Sequence, residues 1–330
     1  MNYKLSICIP TFNRSACLKE LLDSIISQVE INQPVEICIS DNASTDDTAQ
    51  LVELYRQKYA YIVYSVAQQN AGFDRNLLRA VGLAQGEYCW LMGDDDKLES
   101  GAIKYILNTL NKYDDLAGIS VKAFMYDGSF AKRLPNKTPI PLYEDTVLTT
   151  MENIFVYLFY QFSFISVQIV KRSLWLEAVQ NKEIDGFFNA CIHMYVIGAM
   201  TKIQPRWLYV NKECVGQRLI PCPSAGHYGA FSILLQSFEQ VAKHFFNYSK
   251  VSYMKVMSAI CNTHLKFSMR SLKAREDRDF IKKSWQLLGM RYFQYPAFWF
   301  KVLPWMLMPR KLLSVVHYLH KQVFLKFLKK

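Results

Sequence analysis

Short apolar runs alternate with helical-period segments through the first hundred residues. Leu5, Ile7, Cys8 and Ile9 make a strand-like run that Pro10 ends, and Leu18, Leu21, Leu22, Ile25 and Ile26 then recur at helical spacing, with Ser15 placed to cap that helix. A second run, residues 35–39, stops at Ser40-Asp41-Asn42-Ala43-Ser44-Thr45-Asp46-Asp47, whose spacing from Ser44 to Asp47 is that of a capping box. A helix should follow with Leu51, Leu54 and Tyr55 inward. Residues 61–66 predict a third strand, 73–84 a third helix, and 88–92 a fourth strand that runs into Gly93-Asp94-Asp95-Asp96.

Repeated strand–helix–strand units predict a mostly parallel sheet with helices on both faces. Ligands of such sheets bind where loops leave the carboxyl ends of the strands, and every polar motif here lies at such an end. After about residue 215 the alternation fades into a helical, aromatic-rich pattern. The predicted organisation is an α/β domain over residues 1–215, with halves 1–100 and 101–215, and a helical region over 216–330.

The formal charge of +11 suggests a polyanionic partner until it is located. Residues 280–330 hold ten Lys or Arg and no Asp or Glu, so residues 1–279 carry about +1. The excess belongs to the tail, and no nucleic-acid partner is expected for the folded domain. In the tail Leu312, Val316, Leu319, Val323 and Phe327 share a helical face, with Lys311, Lys321 and Lys329 away from its centre and Lys326 at its edge. Basic residues among Trp, Phe and Leu suit an interfacial segment on anionic lipid, the alternative being a helical face packed on the first domain or on a second copy. No stretch has 18 uninterrupted apolar residues, no secretory segment opens the chain, and the eight cysteines form no Cys-x-x-Cys pair. A cytoplasmic protein, peripheral on the inner face of the membrane, is the expectation.

An acidic triplet alone is as well read as a solvated turn, Asp41 as an Asx-turn, and Arg75 as a surface partner of Asp74. In a binding site, adjacent carboxylates call for a divalent cation, Asp41 can accept from a nucleobase, and Arg75 at a helix start can face a diphosphate. Neither Gly-x-Gly-x-x-Gly nor Gly-x-x-x-x-Gly-Lys occurs, which leaves dinucleotide and P-loop readings without support.

Taken in order, Pro10-Thr11-Phe12-Asn13-Arg14, Ser40 to Asp46, Asn70-Ala71-Gly72-Phe73-Asp74-Arg75-Asn76, Gly86-Glu87-Tyr88 and Gly93-Asp94-Asp95-Asp96 resemble the family 2 glycosyltransferases, firmly over about the first 100 residues. Glu36 to Asp46, Asp74-Arg75-Asn76 and Tyr88-Cys89-Trp90 are most similar to abequosyltransferases and related O-antigen sugar transferases. The resemblance implies a GT-A type α/β fold and transfer of a sugar, a deoxy- or dideoxyhexose among the candidates, from a nucleotide-diphosphate donor. The implied acceptor is a saccharide linked to a lipid such as polyprenyl diphosphate, in O-antigen or other surface polysaccharide synthesis. It implies that Pro10, Thr11, Phe12 and Asp41 contact the nucleoside, that Arg14, Asn42, Asp94 and Asp95 also bind the nucleotide or donor, that Arg75 lies near the diphosphate or donor sugar, and that Asp94 and Asp96 hold Mn²⁺ or Mg²⁺. Three consecutive Asp leave Asp95 and Asp96 as an equal pair, one on the sugar and one on the metal.

Such a transfer also asks for a base that takes the acceptor's proton. Family members often place it in an acidic pair near a helix start. That pair is absent from the corresponding stretch, residues 184–195, which offers His193 and, in reserve, Asp185. A nucleotidyltransferase would show a Gly-rich basic loop after the first strand, which Pro10-Thr11-Phe12-Asn13 is not. A non-catalytic membrane-binding protein would have no use for an acidic strand end.

Overall fold

The run that begins at Leu5 forms β1 (Leu5–Thr11), buried at every position. A strand covered on both faces is buried at every position and mostly apolar rather than alternating, and β1 and β2 (Val35–Asp41) are such strands. Between them lies α1 (Ser15–Ile26), which buries Leu18, Leu21, Leu22 and Ile25. Then follow α2 (Thr48–Lys58), β3 (Ile62–Val66), α3 (Phe73–Gly82) and β4 (Tyr88–Leu91). The computed structural model describes residues 3–29, 35–134, 140–219, 226–266, 269, 280–309 and 312.

The first four strands pair in parallel in the order β3-β2-β1-β4, with Thr11 opposite Asp41 at the carboxyl ends. The sheet continues through β8 (Gln168–Lys171), antiparallel to β4, then β6 (Gly118–Tyr126), β9 (Trp207–Arg218) and β5 (Lys97–Leu98), with β7 (Thr146–Leu148) on β9. β6 and β9 are parallel neighbours, whereas β5 and β7 run antiparallel to β9. The remaining helices of this unit are α4 (Ala102–Lys112), α5 (Met151–Phe162), α6 (Arg172–Val179) and α7 (Ile192–Ile203). The expected α/β fold is present, and its second half is a mixed sheet.

Several local expectations are revised. Ser15 is the first helical residue of α1 rather than its cap, which is Arg14. The Ser44–Asp47 capping box does not form at α2 either. Asp46 instead accepts from the Thr48 amide at 3.1 Å and hydroxyl at 2.5 Å, and from the Ser15 amide at 2.9 Å, so one carboxylate serves both helix starts. In α2 the buried positions are Thr48, Val52 and Tyr55, which fixes the helical phase so that Leu54 faces solvent, 57% exposed.

The core sheet contains a buried polar knot. Glu36, only 1% exposed, accepts from the Ser6 hydroxyl at 2.6 Å and from the Gln85 and Gly86 amides at 2.6 and 2.9 Å. A buried carboxylate is tolerated because its lone pairs are met in this way. It ties β1 and β2 to the turn that launches β4.

Contacts divide the chain into two compact units, Met1–Pro221 and Cys222–Lys330. The second is helical: α8 (Gly226–Phe246), α9 (Lys250–Ile260), α10 (Phe280–Tyr292) and α11 (Leu303–Leu307), with π-helical turns at Cys261–Leu265 and Phe298–Val302. Phe231, Leu235, Phe238, Val241, Ala242 and Phe245 recur at helical spacing on the buried side of α8. Of the apolar tail face only Leu312 is among the described residues; Val316, Leu319, Val323, Phe327 and their lysines lie outside them. No helix among the described residues is long and apolar enough to cross a membrane.

Gly86 is where the polar knot leaves no room. A Cβ there would run into the Ser6 hydroxyl and stand 2.9 Å from the Ser6 amide nitrogen and 3.0 Å from the Leu5 carbonyl carbon. Gly86→Ala is expected to cost about 1–3 kcal/mol, the usual range for overpacking, read from the midpoint of urea unfolding. An unchanged midpoint would contradict this packing.

Candidate active site

The carboxyl ends of β1, β2 and β4 meet over the Gly93–Asp96 turn, and what they bring together is charge. Thr11, the last residue of β1, donates its hydroxyl to Asp94 Oδ2 at 2.8 Å. Arg14 Nη1 bridges Asp94 Oδ1 at 3.1 Å and Asp95 Oδ2 at 3.0 Å. Asp96 Oδ2 accepts from the Ser166 hydroxyl at 2.5 Å, and Oδ1 from the Arg218 amide at 3.1 Å. The Ser166 hydroxyl also accepts from the Gly93 amide at 2.9 Å. Thr11, Arg14, Asp94, Asp95 and Asp96 are thus one network.

Burial pushes the Asp94 carboxyl up to about 6, with the Arg14 charge opposing and the Asp95 charge adding to the rise. Asp96 is pushed further, to about 8, by burial and then by Asp95, against the Ser166 and Arg218 hydrogen bonds. The difference follows from geometry: Arg14 pairs with Asp94 and Asp95, whereas Asp96 accepts from the dipoles of the Ser166 hydroxyl and the Arg218 amide.

Asp41, 1% exposed, is closed from two sides: the Tyr64 hydroxyl donates to Oδ2 at 2.7 Å and the Ser44 amide to Oδ1 at 2.8 Å. The local turn weighed as its alternative role is therefore real. Each oxygen still has a second lone pair for a base. Asn42 is a pin: its amide nitrogen donates to Asn70 Oδ1 at 2.8 Å, and its oxygen accepts from the Ala71 amide at 3.0 Å. Asn76 accepts from the Ser40 hydroxyl at 2.7 Å and donates to the Thr11 carbonyl at 3.2 Å, which links the ends of β1 and β2 to the start of α3. Pro10 is buried in β1 opposite Ser40, and Phe12 just beyond the strand is 39% exposed, its ring open to a ligand.

Arg75 does not pair with Asp74. Its guanidinium lies over the Phe188 ring, 4.6 Å from the centroid. Asp74, 6% exposed, turns to the start of α7 and accepts from the Ala190 amide at 2.7 Å and the Ile192 amide at 3.1 Å. An aspartate from one helix thus satisfies the orphan amides of another.

His193 and Asp185 are not among these partners. His193, on α7, is 2% exposed, and neither ring nitrogen has a hydrogen bond of normal geometry among the described residues. Burial pushes its imidazole down to about 4, against the backbone of Phe162 and Ser163. In this structure the enclosed ring presents no lone pair to a hydroxyl arriving from solvent. Asp185 lies exposed on the short turn Lys182–Phe187.

Arg218, Ser166, Tyr64 and Asp74 are the site residues that sequence reasoning missed or misplaced. Arg218 is the most connected: its Nε donates to the Asp95 carbonyl at 2.9 Å, Nη1 to the Gly128 carbonyl at 2.9 Å, and Nη2 pairs with Glu20. It lies 122 positions from Asp96, and Ser166 lies 70 away, so no local pattern could announce either. Asp74 stood inside a recognised motif, and only the fold reveals its partners.

Residues 6–171 match the family described as Glycosyl transferase family 2. The chain belongs to that family. This family 2 chain is 44% identical over 113 residues, 34% of its length, to the abequosyltransferase RfbV of Salmonella typhimurium, of which the match covers 34%. It is 34% identical over 110 residues, 33% of its length, to the GalNAc(5)-diNAcBac-PP-undecaprenol beta-1,3-glucosyltransferase of Campylobacter jejuni, with 35% of that protein covered. The family 2 chain therefore spans about a third of the length of these curated relatives. Its fold is similar to that of TarS residues 1–349 from S. aureus, with a TM-score of 0.63 and 18% identity over 87% of this chain and 79% of that one.

The donor set of this family 2 chain suits a hard divalent cation. A Cβ on Gly93 would sit 3.1 Å from Asp95 Oδ1, 3.2 Å from Asp96 Oδ2 and 3.3 Å from Ser166 Oγ, so three oxygens converge beside that glycine. Among the described residues no group of three His, Cys, Asp or Glu is arranged around one ion. A metal held by one or two carboxylates, with phosphate oxygens completing the shell, is the usual form of Mg²⁺ binding.

The Asp96 carboxyl has its pKa raised on folding, from 3.8 to about 8, so its contribution to stability is full below about pH 4 and is lost as pH rises through 8. With EDTA present, the melting temperature of the wild type should fall relative to that of Asp96→Asn between pH 4 and pH 8.5. Parallel curves would contradict the burial of this carboxyl.

Proposed function

We propose that the protein transfers a sugar from a nucleotide-diphosphate donor to a saccharide carried on a lipid, in the assembly of a surface polysaccharide. One observation carries the reading: Thr11 at the end of β1 and Arg14 at the cap of α1 hold Asp94 and Asp95 at 2.8–3.1 Å, which joins the nucleoside-side loop to the acidic turn. Family membership supports the reaction class. The Salmonella and Campylobacter relatives, an abequosyltransferase and a GalNAc(5)-diNAcBac-PP-undecaprenol glucosyltransferase, support the substrate classes.

In this reading the nucleoside lies along Pro10, Thr11, Phe12, Asp41 and Asn42, and Arg75 meets the diphosphate or donor sugar. Asp95 and Asp96 hold Mn²⁺ or Mg²⁺, and Asp94 keeps Arg14 and Thr11 in place. Bound there, a divalent cation supplies charge stabilisation for the departing nucleoside diphosphate. Arg75 adds a cation to the same region. Its stacking on Phe188, and Asp74's hold on Ala190 and Ile192, tie this donor side to the loop before α7, where the acceptor would arrive. Residues 1–215 act as the catalytic part.

Asp185 is the base in this proposal, since its carboxylate is exposed three residues before Phe188. It would take the acceptor hydroxyl's proton as that oxygen attacks the anomeric carbon and the carbon–phosphate-oxygen bond breaks. Asp185→Asn should lower transfer about 10²–10⁴-fold, the range for general-base loss, while a UDP, CDP, GDP or dTDP thermal shift with Mn²⁺ survives. His193→Ala should leave turnover near normal and lower the melting temperature. Near-normal transfer in Asp185→Asn, or loss confined to His193→Ala, would overturn the assignment.

The helical unit supports a peripheral membrane role. Trp285, Phe293, Trp299, Phe300 and Leu307 are all more than 40% exposed, alongside Lys282, Arg291 and Lys301. Aromatic and basic residues together fit an anionic lipid interface. The full chain should co-sediment with vesicles containing phosphatidylglycerol, and Trp299→Ala/Phe300→Ala should weaken that binding several-fold. Equal binding by the double variant would remove this surface from the membrane contact.

A further inference from the structure

The contact that the transfer chemistry leaves unexplained is the one that closes Asp41. Tyr64 lies opposite Ile39 in the β2–β3 register, two residues before the pair formed by Asp41 and Val66. Residues two apart on a strand share a face, so the Tyr64 ring stands on the Asp41 side of the sheet and its hydroxyl reaches Oδ2 at 2.7 Å. Burial, and then the hydrogen bond to Asp41, pushes the phenol well above its ordinary range, so the hydroxyl keeps its proton and donates.

The backbone at Asp41 is fixed independently of this contact. Its carbonyl accepts from the Ala67 amide at 2.8 Å and from Arg79 Nη1 at 3.2 Å, while Arg79 Nη2 donates to the Ser65 hydroxyl oxygen at 2.5 Å. The side chain differs, because the last torsion of an aspartate is broad. Two neutral donors hold it, the Ser44 amide on Oδ1 and Tyr64 on Oδ2. The Arg79 guanidinium turns to the carbonyl instead, and among the described residues no cation pairs with this carboxylate. A neutral donor aims a carboxylate without neutralising its charge, which stays available to an N–H of a ligand. Val66, 50% exposed at the end of β3, and Phe12, 39% exposed just beyond β1, flank the end of β2. Apolar walls around an aimed acceptor suit a flat heteroaromatic ring with an N–H on its edge.

We propose that Tyr64 is a specificity-determining positioning residue: by aiming the Asp41 carboxylate it decides which nucleobase the donor site accepts. The proposal rests on the transferase reading and deepens it by a residue that lies in no motif. Tyr64→Phe removes the hydroxyl and keeps the ring, so the packing of β3 is retained.

With Mn²⁺ present, the affinities of the full-length chain for UDP, CDP, GDP and dTDP are measured by calorimetry in the wild type, Tyr64→Phe, Asp41→Asn and the double variant. The ratio between the tightest and the weakest base should fall roughly fivefold or more in Tyr64→Phe, the worth of one hydrogen bond. Adding Tyr64→Phe to Asp41→Asn should leave the ratio where Asp41→Asn put it, because the phenol acts through the carboxylate. A purely structural role would weaken all four nucleotides by one factor. That uniform loss, an unchanged ratio, equal affinity for all four bases in the wild type, or an additive effect in the double variant would each overturn the proposal. A wild type that binds none of the four would instead bring down the transferase reading itself.

Discussion

Three carboxylates on consecutive residues repel one another, and the turn that carries them sits at the buried end of a central strand. Most of the polar architecture of the first unit answers that repulsion. Thr11 arrives from the end of β1, Arg14 from the cap of α1, Ser166 from the turn before β8, and the Arg218 amide from the end of β9. The compensation is graded: a cation for Asp94 and Asp95, dipoles for Asp96. Asp96 is consequently the carboxyl that holds its proton to about pH 8, and the one with most to gain from a positively charged ligand.

The parts of the fold legible in the sequence were those with local causes. Short apolar runs gave the parallel strands β1 and β2, and the polar loops after successive strands marked the end of the sheet where the acidic network assembles. Helix starts were legible only as places, because the capping partner came from elsewhere: Asp46 bonds both Ser15 and Thr48. Leu54 was misassigned because an apolar residue alone does not fix helical phase, and Val52 and Tyr55 decide it.

The candidate site divides in the same way. Thr11, Arg14 and the acidic triplet lie within motifs and assemble as a group. Ser166 and Arg218 reach the triplet through sheet topology, across 70 and 122 positions. The surface pair weighed as the alternative for Arg75 does not form: Asp74 and Arg75 each turn to the loop before α7. His193 stands at the place the sequence suggested for a base, and in the structure its ring is buried, with its pKa lowered by that burial.

Arg218 also bears on where the protein can be divided. The alternation of strands and helices stops near residue 215, which invites a cut there, but β9 runs on to 218 and its last residue is stitched to the backbone of Asp95 and Asp96. A fragment trimmed three residues short would keep every motif by which the family is known and lose the strut under its acidic turn. Such a fragment would keep the outline of the sheet while its acidic turn goes slack, and inactivity measured on it would reflect the scissors rather than the chemistry.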